Sequence, residues 1–228
     1  MLKREVNDLR FLIRKGNENH IHNLYKEGEI YINTINFIRQ CDNNIERSDP
    51  YDSIAKREFL GELKVKMCDC GLDINKYDIL LNATDGQMSF DTTEKGNIYC
   101  FTGIYNDHFL DEKEIIEILI ESFGESVIII LKPFVFIKRL IKALNDIGYK
   151  VYCCPVEYYP NDYSGDIGYF KKHENYKYQN EFRFFIPNLK DELIKLNIGS
   201  LEDIALIHKS CFLKLELTDS RTKIIKIA

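Results

Sequence analysis

The chain has 228 residues, of which 45% are hydrophobic and 29% are charged. This composition supports a buried core and excludes a disordered, collagen-like or coiled-coil protein. The 31 lysines and arginines face 36 aspartates and glutamates, a formal net charge of −5 that disfavours general attraction to nucleic acid or anionic membranes. Because no Pro- or Gly-rich linker divides the chain, we interpret residues 1–228 as a single domain.

The sequence predicts a cytoplasmic protein that makes no membrane contact. The first 16 residues carry charge throughout, and the longest apolar run, residues 126–131, is too short to span a bilayer. Seven cysteines and no export signal favour reduced thiols over disulfides. The pairs Cys68 with Cys70 and Cys153 with Cys154 lack the spacing usual for structural zinc, so we expect no metal site there.

The first half of the chain alternates short apolar runs with turn formers. A strand over residues 11–13, a short helix over 20–26 ended by Gly28, and a strand over 30–33 are predicted in that order. Residues 36–52 are rich in charge and turn formers, which is typical of a loop. Further strands are predicted over residues 59–67, 79–82 and 97–102.

The second half favours helices and strands in turn. Apolar residues at helical spacing predict helices, and β-branched or alternating segments predict strands. The predicted helices cover residues 111–123, 134–147 and 189–196. The predicted strands cover residues 126–131, 150–159, 178–186, 203–207 and 212–227. The fold class expected from this series is α+β.

The predicted strand over residues 178–186 is the most informative segment. Side chains alternate between the two faces of a strand, so Gln179, Glu181 and Arg183 share one face while Phe182 and Phe184 share the other. A core strand does not ordinarily align a carboxamide, a carboxylate and a guanidinium. The alternative from this segment alone is a half-exposed strand with a solvated Glu–Arg pair of little energetic value.

Several segments, taken in order, resemble an uncharacterised bacterial family known as a domain of unknown function. Residues 172–183 resemble its "K…W-x-Y-E-x-E-x-R" strand, and residues 47–52 resemble its "N-D-P-x-E" loop. Residues 28–33, 98–102 and 124–130 are similar to three of its strands. Ser48, Asp52 and Tyr176 stand where the family pattern has Asn, Glu and Trp.

That family in turn resembles the ADP-ribosyltransferase fold, which implies a split mixed β-sheet with flanking helices and a cleft that grips NAD as a substrate. Gln179 and Glu181 are similar to the Q/E-x-E element of the Arg-Ser-Glu subgroup, so the resemblance implies a catalytic Glu181 with Gln179 and Arg183 beside it. Arg14, at the end of the first strand, stands where the subgroup's arginine would, and Thr102 is a loose substitute for its Ser-Thr-Ser strand.

The chemistry of NAD suggests the remaining candidates. A carboxylate beside the ribose stabilises the oxocarbenium charge that develops as nicotinamide leaves. The pyrophosphate needs a cation, and the nicotinamide ring needs an aromatic face. The candidate NAD-binding residues are Arg14, Tyr31, Asn33, Arg47, Asp49, Tyr51, Thr102 and Tyr178.

Several of these residues have structural alternatives. Arg14 suits a solvated charge at a strand end, and residues 47–50 suit a capped turn. His20 and His22 are interpreted as surface or packing residues. His173 is either a general base or a solvated loop residue. Cys100 is a nucleophile only if a base lies within reach.

Three functions remain open from the sequence. The first is an NAD-dependent ADP-ribosyltransferase-like enzyme, which the resemblance associates with toxins or anti-phage effectors and whose acceptor, protein or nucleic acid, is not indicated. The second is a non-catalytic module on the same fold that binds a nucleotide or a partner. The third is a metal-dependent nuclease with Asp49, Asp52 and Glu181 around a divalent cation.

Overall fold

The computed structural model describes residues 5–40, 52–66, 80–90, 95–109, 115–118, 124–209, 213–217 and 225–227. The α-helices are α1 (Glu18–Glu27), α2 (Ile35–Arg39) and α3 (Pro133–Asp146). The strands are β1 (Leu9–Gly16), β2 (Glu29–Ile32), β3 (Lys56–Lys66), β4 (Leu80–Phe90), β5 (Gly96–Tyr105), β6 (Ile115–Ile118), β7 (Ser126–Ile130), β8 (Tyr152–Pro155), β9 (Glu157–Tyr159), β10 (Gly165–Asp166), β11 (Lys171–His173), β12 (Glu181–Pro187), β13 (Ile194–Asn197), β14 (Ala205–Lys209), β15 (Leu213–Leu217) and β16 (Ile225–Ile227). Within these ranges, no helix is both long and apolar enough to cross a lipid bilayer.

The main sheet has six strands in the order β14-β7-β1-β5-β12-β8, and each neighbouring pair is antiparallel. The α+β class is confirmed, but the expected mixed pairing is wrong for this sheet. Parallel neighbours are usually joined through a helix, and residues 111–123 are predicted to form one. The described part of that segment is instead strand β6, which pairs with β15 in a separate sheet.

The main sheet separates between β1 and β5. The two strands pair from Leu9 opposite Tyr105 to Ile13 opposite Thr102. Beyond that point β1 continues beside β7 alone, with Arg14 opposite Ile128, while the other half of β5 continues beside β12. The divergence opens a cleft between the two halves of the sheet.

One face of the sheet packs against the amphipathic helix α3. Phe136, Leu140 and Leu144 recur along one side of the helix and are fully buried. Phe136 contacts Phe101 and Phe184 edge-on, with ring centroids 5.2 and 6.2 Å apart. The predicted helix over residues 134–147 is confirmed. Its apolar side covers one face of the sheet.

Helix α1 leads from the end of β1 to β2. The Asn17 side chain accepts a hydrogen bond from the backbone N–H of Asn19, which caps the helix start. Gly28 ends the helix with φ of +67°, and a Cβ there would lie 2.1 Å from the carbonyl oxygen of Gly199, so glycine is required. The predicted short helix ending at Gly28 is confirmed. It begins two residues earlier than expected.

Two predicted helices are strands in the structure. The helix expected over residues 189–196 is replaced at its end by β13, in which Ile194 and Leu196 lie opposite Ile32 and Ile30 of β2. Alternate burial against β2 therefore overrides the helical spacing of the leucines. Residues 115–118 of the helix expected over 111–123 form β6, where β-branched Ile residues suit a strand. The other residues of that segment lie outside the described ranges.

Candidate active site

The cleft between β1 and β5 has a volume of about 630 Å³, which is within the range of ligand-binding pockets. Its wall includes the cleft-facing side of β5 and β12, the end of β1, the first turns of α1, and parts of β2 and α2. The wall includes side chains that the sequence predicted for the site and others that it did not. The charged and polar lining residues include Arg14, Lys15, His20, Glu29, Tyr31, Asn33, Asp52, Cys100, Thr102, Lys172, Gln179, Glu181 and Arg183.

Strand β12 positions two of the predicted residues as the alternation indicated. Phe182 and Phe184 are fully buried in the core, and Glu181 and Arg183 lie on the cleft side. Gln179 is not on the strand, because a 3₁₀ helix, Glu174–Gln179, ends there. The next residue, Asn180, turns the chain with φ of +44° before β12 begins. Gln179 nevertheless reaches the same cluster through its side chain.

Arg183 is the centre of this cluster and is completely buried. Its Nε donates to Glu181 Oε1 at 2.6 Å. Nη1 and Nη2 donate to the two carboxylate oxygens of Asp52 at 2.7 and 2.9 Å, a bidentate pair. Nη1 also donates to the carbonyl oxygen of Tyr169 at 2.9 Å. One guanidinium therefore holds two acidic residues that are 129 positions apart in the chain.

Lys172, from strand β11, supplies the second cation of the cluster. Its Nζ donates to Gln179 Oε1 at 3.0 Å and lies 3.4 Å from Glu181 Oε2 and 3.8 Å from Asp52 Oδ2. The ammonium group also lies 4.5 Å from the centre of the Tyr176 ring. Two cations and two carboxylates thus balance each other in a buried site, the condition under which buried charges are tolerated.

These contacts set the charge of Glu181. Burial alone would raise the pKa of this carboxyl, but the charges of Arg183 and Lys172 and the hydrogen bond from Arg183 hold its pKa well below the usual range. The backbone is fixed as well, since the Glu181 N–H donates to the Tyr158 hydroxyl at 2.8 Å. Glu181 is therefore an ionised carboxylate, immobilised at the wall of the cleft.

Cys100 lies on β5 directly opposite Arg183 of β12. Burial and the neighbouring Glu181 carboxylate raise the pKa of the Cys100 thiol well above its ordinary value. A thiol that stays protonated is a poor nucleophile. The raised pKa therefore disfavours the alternative in which Cys100 attacks the substrate.

Arg14 occupies the point where the sheet separates. Its Nη1 donates to the carbonyl oxygen of Cys100, and its guanidinium carbon lies 4.2 Å from the centre of the Tyr99 ring. The side chain bridges β1 and β5 where their backbone pairing has stopped. Arg14 is thus a positioned residue of the cleft, in contrast to the alternative of a solvated strand end.

The other predicted residues on β2 and β5 also line the cleft. Thr102 lies between Ile13 and Glu181 in the strand register. The Tyr31 hydroxyl donates to Glu29 Oε1 at 2.7 Å and accepts from Lys195 Nζ at 2.8 Å. Asn33 lines the wall with its backbone carbonyl bonded to the Ile98 N–H.

Some predicted residues are placed elsewhere. The Tyr178 side chain is 55% exposed and is not part of the cleft wall, because the 3₁₀ turn directs it outward. His173 caps that turn by accepting from the Asn175 N–H through Nδ1, so it is neither a solvated residue nor part of the described cleft wall. Arg47, Asp49 and Tyr51 lie outside the described residues.

The sequence did not identify the roles of three residues. Lys172 and Asp52 complete the charge cluster, and His20 lines the mouth of the cleft with its ring centroid 6.0 Å from that of Tyr31. One signal was available: an arginine within a Phe-rich strand needs carboxylates to compensate its burial. That signal predicts an acidic partner, but it does not identify which of the 36 acidic residues is the partner.

A scan against models of known protein families, a search of curated proteins and a search of solved structures each returned no match.

Proposed function

We propose that the protein is an ADP-ribosyltransferase-like enzyme that uses NAD as its substrate and cleaves the nicotinamide glycosidic bond. The observation that supports this most is the ionised Glu181 carboxylate at the wall of a nucleotide-sized cleft, in a sheet that separates beside Arg14. The proposal includes the ADP-ribosyltransferase-like fold that the sequence resemblance implies.

Glu181 would act on the ribose that bears nicotinamide. As the bond to nicotinamide breaks, positive charge develops on the ribose, and a fixed anion beside it lowers the energy of the transition state. Arg183 and Lys172 keep the carboxylate charged and immobile, so little reorganisation is needed during the reaction. Gln179, bonded to Lys172, would orient a ribose hydroxyl beside Glu181.

The cleft also offers groups for the rest of the dinucleotide. Arg14 and Lys15 place positive charge at the end of β1, where a pyrophosphate would be attracted. Tyr31 offers an aromatic ring on the cleft wall, and Thr102 and Asn33 offer hydrogen-bonding groups on the same wall. This distribution fits a ligand with an anionic centre and planar ends.

The biological setting is part of the same proposal. We place the enzyme in the cytoplasm, where NAD is supplied, and suggest that it modifies a protein or nucleic acid as a toxin or an anti-phage effector. The supports are the resemblance and the seven cysteines.

The test is nicotinamide release from NAD by purified variants, followed by chromatography. Glu181→Gln keeps the shape and removes the charge, and we expect a loss of about 100-fold or more in kcat. Glu181→Asp keeps the charge but withdraws it by one methylene, so it should retain more activity than Glu181→Gln. Glu174→Gln, an exposed residue on the preceding 3₁₀ helix, is the matched control and should leave the rate unchanged.

Thermal unfolding of each variant shows whether the fold is intact, because neutralising Glu181 leaves two cations facing one carboxylate. A folded Glu181→Gln protein that turns over NAD at the wild-type rate would contradict the assignment. A folded Glu181→Asp protein no more active than folded Glu181→Gln would contradict the expected order of the two variants.

One observation favours a second candidate, a non-catalytic module that binds a nucleotide. Both oxygens of Glu181 and both oxygens of Asp52 have cationic partners within 4 Å, which is also what a purely structural clamp requires. This candidate predicts saturable NAD binding without nicotinamide release. Calorimetric titration followed by chromatography of the same sample separates it from the enzyme.

The geometry gives little support to a metal-dependent nuclease. Asp52 and Glu181 approach each other, but the guanidinium of Arg183 and the ammonium of Lys172 lie between them. A divalent cation would be repelled by two positive charges at the positions where it needs ligands. The third carboxylate of that hypothesis, Asp49, lies outside the described residues.

A further inference from the structure

Transfer of ADP-ribose to an acceptor requires a destination for the acceptor's proton. A hydroxyl or amine that forms a bond to the ribose must lose one proton, and a positioned base commonly takes it. In the proposed reaction Glu181 is occupied with charge stabilisation. Deprotonation of the acceptor therefore needs another group of the cleft that can accept a proton.

The carboxylates of the described cleft wall are already engaged. Glu181 and Asp52 bind Arg183 and Lys172. Glu29 accepts from the Tyr31 hydroxyl at 2.7 Å and pairs with Lys195 at 2.9 Å. A carboxylate that binds cations through both oxygens is a weak base.

The other groups on this wall are no better suited to accept a proton. Desolvation raises the pKa of the partly buried Cys100 thiol and of the buried Tyr99 phenol, so both favour the protonated form. The lysines and arginines of the wall carry positive charge near neutral pH and favour anions over protons. His20 and Tyr31 remain on the part of the cleft wall that the structure describes, and the Tyr31 hydroxyl already donates to Glu29, which leaves the His20 imidazole.

His20 stands where an acceptor would enter. It lies in the first turn of α1, exposed to solvent and on the rim of the cleft, with its ring next to that of Tyr31. The charged groups around this end are the Glu29–Lys195 pair from β2 and β13, Lys15 from β1, and Glu18 on the helix itself, which pairs with Lys209 at 2.8 Å. The imidazole therefore faces both bulk water and the cleft.

We propose that His20 is a catalytic residue that removes the proton from the acceptor, which enters at the rim formed by His20 and Tyr31. This inference rests on the proposed function. The acceptor oxygen or nitrogen forms a bond to the ribose carbon, and the bond from that carbon to nicotinamide breaks. Its electron pair leaves with neutral nicotinamide. The acceptor's proton passes to an imidazole nitrogen of His20 and then to water, so no redox partner is needed.

The acceptor class follows from this arrangement. A group that must be deprotonated, such as a hydroxyl or an amine, depends on His20. An acceptor that attacks as an anion, and so has no proton to lose, does not depend on His20. Water and azide ion are therefore a matched pair of probes: water must lose a proton, and azide has none to lose.

The experiment measures nicotinamide release from NAD in the presence and absence of azide, with the products identified by mass spectrometry. The variants are His20→Asn and the control His22→Asn, which lies two residues away on α1, is exposed and is not part of the cleft wall. We expect His20→Asn to lower the reaction with water by about 100-fold, the contribution typical of a general base. The reaction with azide should stay close to the wild-type rate, and His22→Asn should match the wild type in both reactions.

Three outcomes would overturn the inference, and they are distinguishable. Equal rates with water for His20→Asn and His22→Asn would remove His20 from the reaction and leave the proposed function standing. Equal loss with water and azide in a folded His20→Asn protein would indicate a role in binding. No nicotinamide release from the wild type under any condition would refute the proposed function, and the role of His20 with it.

Discussion

Replacement of Arg183 by Met provides a direct test of the charge cluster. The guanidinium is fully buried and contacts both Asp52 and Glu181, so its loss leaves two buried carboxylates facing Lys172 alone. Removing one partner from a buried ionic cluster typically costs about 3–5 kcal/mol. In a chain of this size, about 2–4 °C per kcal/mol gives a fall in Tm of about 6–20 °C.

A second substitution makes the prediction sharper. In Arg183→Met the cluster has one cation and two anions, and adding Asp52→Asn restores equal numbers. We therefore expect the double variant to be more stable than Arg183→Met, although Asp52→Asn alone destabilises the wild type. The free energies of unfolding of the four proteins, measured in urea, form a double-mutant cycle.

The matched control is Arg139, which makes a comparable bidentate contact with Asp203 on the surface. Because that pair is partly exposed, Arg139→Met should cost less than about 1 kcal/mol. Additive destabilisation by Arg183→Met and Asp52→Asn would refute the reasoning. So would a cost for Arg183→Met no larger than that for Arg139→Met.

Two further predictions concern titratable groups beside the site. Burial and the charge of Arg57 lower the pKa of His173, so the folded protein favours the neutral ring. The contribution of the neutral His173 ring to stability is complete above the ordinary pKa of 6.5 and is lost as the pH falls below that value. Urea unfolding between about pH 7.5 and 5.5 should show this loss in the wild type and in His22→Asn but less of it in His173→Asn, which keeps a cap acceptor, and equal slopes would contradict it. Alkylation of Cys100 by iodoacetamide should be much slower in the folded than in the unfolded protein, because the thiol of the folded protein stays protonated. Peptide mass spectrometry measures the two rates, and rapid labelling of the folded protein would count against a protonated thiol.

The parts of the site that the sequence predicted depend on local geometry. The alternation along β12 follows from the backbone, so the division of Phe182 and Phe184 from Glu181 and Arg183 could be predicted without knowledge of the fold. The helix 134–147 was predictable for the same reason, since its apolar spacing is regular over four turns. In each case the information lies within one element.

The parts that were missed depend on tertiary contacts. The bond from Arg183 to Asp52 joins residues 131 positions apart, and nothing in either segment specifies the other. The helix predicted over residues 189–196 failed because the pairing of Ile194 and Leu196 with β2 outweighs the spacing of Leu189 and Leu193, both of which are exposed. His20 is exposed, as the sequence predicts, but its position beside Tyr31 arises only when α1 folds back along β2.

The most direct test of the central claim is a calorimetric titration of NAD into the wild-type protein, with chromatography of the same sample for nicotinamide. We expect saturable binding at one site per chain and release of nicotinamide that Glu181→Gln abolishes. No binding and no nicotinamide would contradict it, because the cleft beside Arg14 and Glu181 would then not be a site for NAD.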